Sequence, residues 1–359
     1  MPRPGRILAA LMLCAFCGFP GFLGAADAPS HHADGRFRNN YPHDADESFW
    51  LWKWEQWRQG LPRPPAGGWP IPHQEADVEA LRANRDKATV TWIGHSAFLL
   101  QVSGMNILVD PQFSERASPV SFAGPRRIVP LPLALEELPR IDVVLTSHNH
   151  YDHLDVATVE ALARQPGGGP LFLVPLELAA WMRERGAQRV EELDWWQSRE
   201  VGGLRLTLVP VQHWSKRTLW DTNKTLWGGW VIEGGGLRIV HTGDLGFSKD
   251  ARDIGERLGP FDLALIPIGA YAPRWFMKNY HVDVPEAIQV RADLRAARAI
   301  GMHWGTFEHL TDEPMDEPPA ELARRREAAG LAIEQFDVMK IGETRSIVPE
   351  RESPGGGRP

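Results

Sequence analysis

Apolar and polar positions alternate along this chain in a way that sorts it into short strands and helices. Residues 89–93 and 98–102 are apolar runs flanking Gly94-His95-Ser96-Ala97, and residues 105–109 run into Asp110-Pro111. Clusters of β-branched and aromatic residues bounded by turn formers predict strands here, and the core domain is expected to begin at residue 88. Residues 112–140 read as a loop-rich insertion, and residues 141–146 form another buried strand. Beyond it the pattern predicts a helix over 156–164, a strand over 171–174 and a helix over 176–185 ended by Gly186. Further strands are predicted over 190–193, 204–210, 230–233 and 237–241, the last two joined by Gly234-Gly235-Gly236. Strands alternating with helices, together with antiparallel-looking pairs, predict an α/β sandwich with helices outside two sheets. No sequence repeat of 20–50 residues is visible.

Upstream of this domain, residues 27–87 are rich in Pro, Gly, His and Trp and carry no strand pattern. Trp50, Trp54 and Trp57 recur at i, i+4 and i+7, which predicts a short helix with an indole stripe. The stripe is expected to pack on the domain and seal its edge; the other reading is an interfacial anchor, since Trp favours the headgroup zone of a membrane. Residues 347–359, Gly- and Pro-rich toward the end, are expected to form a disordered tail.

Composition narrows the class. The chain has 359 residues, 43% hydrophobic and 24% charged, an ordinary globular balance. Arg3 and Arg6 precede an apolar run over 7–16 and a small-residue end at Gly24-Ala25-Ala26, the layout of a secretory leader with cleavage after Ala26. The mature protein is therefore expected to be exported to the periplasm or envelope. Both cysteines, Cys14 and Cys17, fall inside the leader, which leaves no disulfide and no thiolate ligand. Against 39 Lys and Arg stand 46 Asp and Glu, a net charge of −7 that becomes −9 when Arg3 and Arg6 leave with the leader. Such a balance disfavours a nucleic-acid partner.

The chemistry gathers in residues 147–155, Ser-His-Asn-His-Tyr-Asp-His-Leu-Asp, directly after the buried strand. Three imidazoles and a carboxylate in that position are not hydrophobic core and fit a metal site. His148 and His150, two apart on extended backbone, project the same way, while Asp152 and His153 follow a turn. Four N/O ligands within six positions exceed what one tetrahedral zinc draws from one loop, so two metals are expected to share it. His213, Asp244 and His303 each lie just beyond an apolar strand, and ligands at one sheet edge converge in space. Asp110 is a candidate acceptor behind a metal-binding histidine, with a simple strand-end cap as the competing role. His95 reads as structural, and Arg126 and Arg127 as solvated, with a phosphate contact as their other reading.

These motifs carry a resemblance. The order His-x-His-x-Asp-His, His, Gly-Asp, His resembles the metallo-β-lactamase superfamily, whose fold is a four-layer αββα sandwich. Gly94-His95-Ser96, Arg116-Ala117-Ser118-Pro119, Gly124-Pro125-Arg126-Arg127, the 147–155 loop, Glu192-Leu193-Asp194-Trp195-Trp196, the stretch from Gln212 to Leu219, residues 259–277 and His303-Trp304-Gly305-Thr306-Phe307 look like the N-acylphosphatidylethanolamine-hydrolysing phospholipases D and their bacterial relatives. The resemblance spans roughly residues 36–345. It implies one zinc on His148, His150 and His213, another on Asp152, His153 and His303, and Asp244 bridging both. Two zincs about 3.5–4 Å apart can share a hydroxide and stabilise charge on a phosphoryl oxygen, so no protein nucleophile is needed. Asp152 would orient the attack, and His281 would act as acid or phosphate donor. The implied substrate is a phospholipid or another phosphodiester, with peripheral membrane contact, a homodimer, and an acyl groove lined by Trp214, Trp220, Trp227, Trp275, Phe276 and Met277. Lactone, thioester or other phosphodiester cleavage on the same fold, and an envelope-associated zinc protein without activity, are the alternatives.

Overall fold

Period-two alternation along the central strands sorts their side chains into two cores. Phe98, Leu100, Ile107, Val109, Val143 and Leu145 face one core, and the intervening Leu99, Leu108 and Val144 face the other. Such strands are buried on both faces and carry almost no polar residue. In the computed structural model, which describes residues 30–44 and 47–349, they form two seven-stranded sheets packed face to face. The first runs, in spatial order, Thr344–Ser346, Thr89–Gly94, Ala97–Val102, Met105–Val109, Val143–Leu145, Leu171–Pro175 and Val190–Leu193. The second runs Ser198–Val201, Leu204–Val209, Gly229–Gly234, Leu237–His241, Phe261–Pro267, Ala296–Met302 and Phe336–Val338.

Each sheet begins as an antiparallel meander and continues with parallel strands, so the topology repeats although the sequence does not. The shared inner faces bury Trp92, Phe98, Leu206, Leu208, Trp230 and Ile239. Helices Val156–Ala163 and Ala179–Glu184 cover the outer face of the first sheet through Val159, Leu162 and Met182. Asp250–Arg257 and Val284–Asp293 cover the second through Ile254, Ala287 and Val290. This is the expected αββα sandwich. Strands Ser198–Val201, Phe336–Val338 and Thr344–Ser346 carry no readable signal, because each is a sheet-edge segment of only three or four residues.

The tail boundary and the segment ahead of residue 88 differ from expectation. The leader with Cys14 and Cys17, and the residues from 350 onward, lie outside the described residues. Ile347, assigned to the tail, is buried and donates its N–H to Ala88 O at 2.8 Å, so the domain extends past residue 346. Residues 30–87 do not stand apart from the domain: Ile71 and Leu81 are buried in its cores, and Gln74 N–H donates to Ile341 O. A small hairpin, His32–Ala33 with Arg36–Phe37, lies ahead of them.

Helix Phe49–Gln59 forms where the Trp spacing predicts it, capped by Ser48, but the opposite side faces inward. Trp52 is the buried indole, stacked on Phe276 at 4.7 Å and donating to Asp312 Oδ2 at 2.9 Å. Trp50 and Trp57 are 79% and 80% exposed, so the expected packing of the stripe is overturned. The physical reason is Asp312, which offers the one acceptor an indole N–H needs on burial. Among the described residues no helix is long and apolar enough to cross a membrane.

Candidate metal centre

All the candidate ligands emerge at one edge of the sandwich, where strands end. Val143–Leu145 feeds the 147–155 loop, and Asp155 closes that loop by capping the following helix through Thr158 N–H. Leu204–Val209 leads to His213, Leu237–His241 to Asp244, and Ala296–Met302 to His303. The turn before Asp244 requires glycine: Gly243 has φ of 61°, and a Cβ there would stand 2.9 Å from Ser147 Cβ. His95, Asp110 and His303 also hold left-handed φ of 55°, 42° and 62°, a conformation that side chains other than glycine seldom adopt.

Two groups of donors face each other across Asp244. His148 Nε2 lies 2.9 Å from His150 Nδ1, which in turn lies 3.4 Å from His213 Nε2. On the other side Asp152 Oδ2 lies 3.5 Å from His153 Nε2 and 3.4 Å from His303 Nε2. Asp244 Oδ2 is 3.1 Å from both His153 Nε2 and His303 Nε2, and 3.9 Å from both His148 Nε2 and His213 Nε2. Buried and without a hydrogen-bond partner are His150 Nε2, His153 Nε2, Asp244 Oδ1, and both ring nitrogens of His303. Orphaned polar atoms are rare in a folded interior. Of these, His153 Nε2 and His303 Nε2 face Asp244 Oδ2; with Asp152 Oδ2, His148 Nε2, His150 Nδ1 and His213 Nε2 they make an all-N/O donor set with no thiolate, which suits one or two divalent ions of the zinc type.

The surrounding hydrogen bonds fix which nitrogen each imidazole offers. Asp110, fully buried, accepts from Ser147 N–H at 2.7 Å, Ser147 Oγ–H at 2.6 Å and His153 Nδ1–H at 2.9 Å. Ser147 Oγ, having donated to Asp110, accepts from His148 Nδ1–H at 2.9 Å. His213 Nδ1–H donates to Tyr280 O at 3.0 Å. In all three rings the proton sits on Nδ1, and Nε2 is left as the ligand atom. Asp110 is thus more than a strand-end cap, since it orients two of the loop's histidines at once.

Charge is distributed unevenly across the site. Burial holds His148 and His213 well below the ordinary imidazole value and lowers His150 and His281 to about 4, so all four are neutral at pH 7. Burial also opposes charge on His153 and His303, but Asp244 and Asp152 override it, raising His153 well above its usual value and His303 to about 9. Burial would raise both carboxylates, yet the cationic histidines beside them hold Asp152 and Asp244 well below the usual range. In the metal-free protein, protons on His153 and His303 balance the two carboxylates. A divalent ion would displace them.

His281 faces the same space, its ring centroid 5.3 Å from that of His213 and 5.4 Å from that of His303. His95 does more than the sequence suggested. It is buried, and its Nε2–H donates to Asp152 Oδ2 at 3.0 Å. The signal was available: a histidine in the tight turn between two mostly apolar strands. Arg126 is solvated as expected and pairs with Glu115. Arg127 is not: its guanidinium donates to Gln112 O, Gln112 Oε1 and Ser114 O and lies over Phe307, so it ties the 112–127 loop down. The expected acyl groove disperses as well. Trp227 and Met277 are core, Phe276 stacks on Trp52, Trp220 is 77% exposed, and Trp214 alone of these contacts a candidate ligand, edge-on to His150 at 4.7 Å.

Residues 105–304 match the model of the beta-lactamase superfamily domain. The chain is 43% identical over 264 residues to the N-acyl-phosphatidylethanolamine-hydrolyzing phospholipase D 1 of Caenorhabditis elegans, which covers 70% of this chain and 74% of that protein. It is 32% identical over 258 residues to a metal-dependent hydrolase of Methanopyrus kandleri, covering 71% of this chain and 98% of that one. Among solved structures, a metallo hydrolase from Ignicoccus hospitalis superposes with a TM-score of 0.55 at 26% identity, over 73% of this chain and 98% of that chain. With its sandwich, its strand-end histidines and these relatives together, the chain belongs to the metallo-β-lactamase superfamily as a metal-dependent hydrolase that resembles the N-acylphosphatidylethanolamine-hydrolysing phospholipases D.

Proposed function

We propose that this protein is a binuclear zinc phosphodiesterase of the phospholipase D type, releasing an N-acylethanolamine and phosphatidic acid from an N-acylated phosphatidylethanolamine or a related phosphodiester. The observation that carries this reading is Asp244, whose Oδ2 stands between the His148, His150, His213 group and the Asp152, His153, His303 group. When bound, a pair of divalent ions supplies Lewis acidity toward a phosphoryl oxygen and lowers the pKa of water near neutrality. Asp152, held by His95, accepts a hydrogen bond from the attacking water and orients it. His281, neutral by burial, donates a hydrogen bond to the phosphoryl oxygen rather than presenting a charge. The proton released by the attacking water passes to solvent, and the leaving head-group oxygen takes up one from solvent.

The lipid is supported by the identity with the nematode phospholipase D and by apolar loop tips beside a groove that neighbours the metal loop without containing its candidate ligands. A groove of about 630 Å³ reaches Asn149 and Tyr151 in the metal loop and is framed by Ser118, Val120 and Ser121 on one side and Thr218 and Asp221 on the other. Phe122, Leu219 and Trp220, on those same loops, are 81%, 78% and 77% exposed. Apolar tips beside a groove suit a substrate that arrives from a lipid surface. The export pattern of residues 1–26 supports action at the envelope.

The deciding experiment incubates purified protein with a lipid extract and identifies products by mass spectrometry, with and without chelator. N-acylethanolamines formed only in the metal-loaded sample are expected. Turnover of lactones or thioesters with no phosphodiester cleavage would replace the substrate assignment, and full activity after chelation would overturn the metal mechanism.

A further inference from the structure

Far from strand ends 143–145 and 296–302 in the chain, a second group of ligand-type side chains converges where the first hairpin meets the turn after Val190–Leu193. His31 Nε2 lies 2.6 Å from Asp194 Oδ1, and His32 Nε2 lies 2.9 Å from Asp194 Oδ2. His31 lies in the turn just before strand His32–Ala33, so the two neighbouring rings both turn onto one carboxylate, and each is held by an aromatic wall. His31 stacks on Trp195 with centroids 4.3 Å apart, while His32 meets Phe37 edge-on at 5.1 Å. The hairpin hydrogen bond from Arg38 N–H to His31 O, and that from Trp195 N–H to Asp194 Oδ1, fix the two backbones.

We propose that His31, His32 and Asp194 form a second metal site, separate from the seven-residue centre, for a borderline divalent ion such as Zn2+, Ni2+ or Cu2+. Two imidazole nitrogens and one carboxylate oxygen make a three-ligand set of the kind zinc accepts, with the fourth position left to water. His31 and Asp194 side chains are only 9% and 12% exposed, whereas His32 is 30% exposed and gives the ion its way in from solvent. The spacing of the donor atoms is close to that of His148 Nε2 and His150 Nδ1, which lie 2.9 Å apart in the main centre. Burial would raise the Asp194 carboxyl, but the hydrogen bonds from His31 and Trp195 hold it below its ordinary value, so the anionic ligand is present at neutral pH.

Such an ion would clip the start of the described chain to the sheet end. The same segment runs on to Asn39, whose amide donates to His213 O and accepts from His213 N–H, both at 3.0 Å. The clip and a ligand of the main centre therefore lie on one short, continuous strap. This inference does not depend on what the main centre hydrolyses.

The test counts metal. Full-length protein is dialysed to equilibrium against about 1 μM free Zn2+ and analysed for zinc per chain, beside the His31→Gln/His32→Gln double variant. The double variant is expected to hold about one equivalent fewer than the unaltered protein, with unchanged far-ultraviolet circular dichroism. Asp194→Asn, which keeps an oxygen acceptor for one ring but loses the anionic ligand, is expected to lose the same equivalent. Equal zinc in all three proteins would overturn the proposal and leave a purely hydrogen-bonded His-Asp bracket. Should neither variant fold, the unaltered chain with its main centre filled with Zn2+ is titrated with Cu2+. An electron paramagnetic resonance signal split by two imidazole nitrogens is expected, and its absence at one added equivalent refutes the site.

Discussion

Replacing Asp110 by Asn separates the two roles open to that residue. The wild-type carboxylate is fully buried and accepts three hydrogen bonds, from Ser147 N–H, Ser147 Oγ–H and His153 Nδ1–H. In Asp110→Asn one oxygen remains to accept from Ser147 N–H. The other becomes an NH₂ group that meets two donors. To avoid that clash His153 must move its proton to Nε2, the atom that would bind metal, and Ser147 must turn its O–H away and accept from the amide as well as from His148. A charge-assisted hydrogen bond is worth about 1.5–3 kcal/mol, and loss of an acceptor behind a metal-binding histidine costs about 10–100-fold in affinity or activity. That fold-change corresponds to about 1.4–2.7 kcal/mol, the size of one such bond. Competition with a chromophoric chelator should therefore show metal affinity about 10–100-fold lower, with kcat/KM for a phosphodiester falling alongside. Ser147→Ala, which cuts only the relay to His148, should show a smaller drop. If Asp110→Asn lowers the melting temperature but binds metal within about twofold of wild type, Asp110 is a structural cap and the orienting role is wrong.

Other outcomes follow from the same geometry. Removing the His95 donor should leave Asp152 poorly oriented, so His95→Ala is expected to reduce turnover about 10-fold or more; unchanged turnover would return His95 to a purely structural role. With metal chelated, the thermal stability of the protein should peak near pH 6.5. Below that, His148, His213, His150 and His281, all depressed, make the unfolded chain the better proton binder, and stability falls with acid. Above it, His303, raised to about 9, and His153 make the native state the better binder, and stability falls as pH rises toward about 9. A profile of melting temperatures that rises or falls steadily across this range would contradict the charge assignment. In the helix Phe49–Gln59, Trp50→Ser with Trp57→Ser should leave the melting temperature almost unchanged, because both indoles are exposed, yet weaken co-sedimentation with liposomes about tenfold. Trp52→Ala should do the reverse, costing about 3 kcal/mol of stability. Equal liposome binding by the first pair would dismiss the membrane contact.

The chain's own pattern determined the sandwich and most of the centre. Short continuous apolar runs such as residues 97–102 between turn formers suit a strand buried on both faces, and a histidine-rich loop after such a run has no apolar environment to enter. His148, His150, Asp152 and His153 could be named from six consecutive positions for that reason. His213, Asp244 and His303 were legible only because each follows a strand, and strands of one sheet end together. What tertiary structure alone decided is which groups stand behind these ligands and which side of an element faces water. Asp110 meets Ser147 and His153 because two parallel strands place their ends side by side, with Val109 opposite Leu145, and His95 reaches Asp152 from a turn more than fifty residues away. Asp312 chose Trp52 over Trp50 and Trp57, and Gln112 with Phe307 drew Arg127 inward while Arg126 stayed in solvent. Local periodicity is a property of neighbours along the chain; the partner that satisfies a buried polar group is supplied by whichever distant segment the fold brings against it.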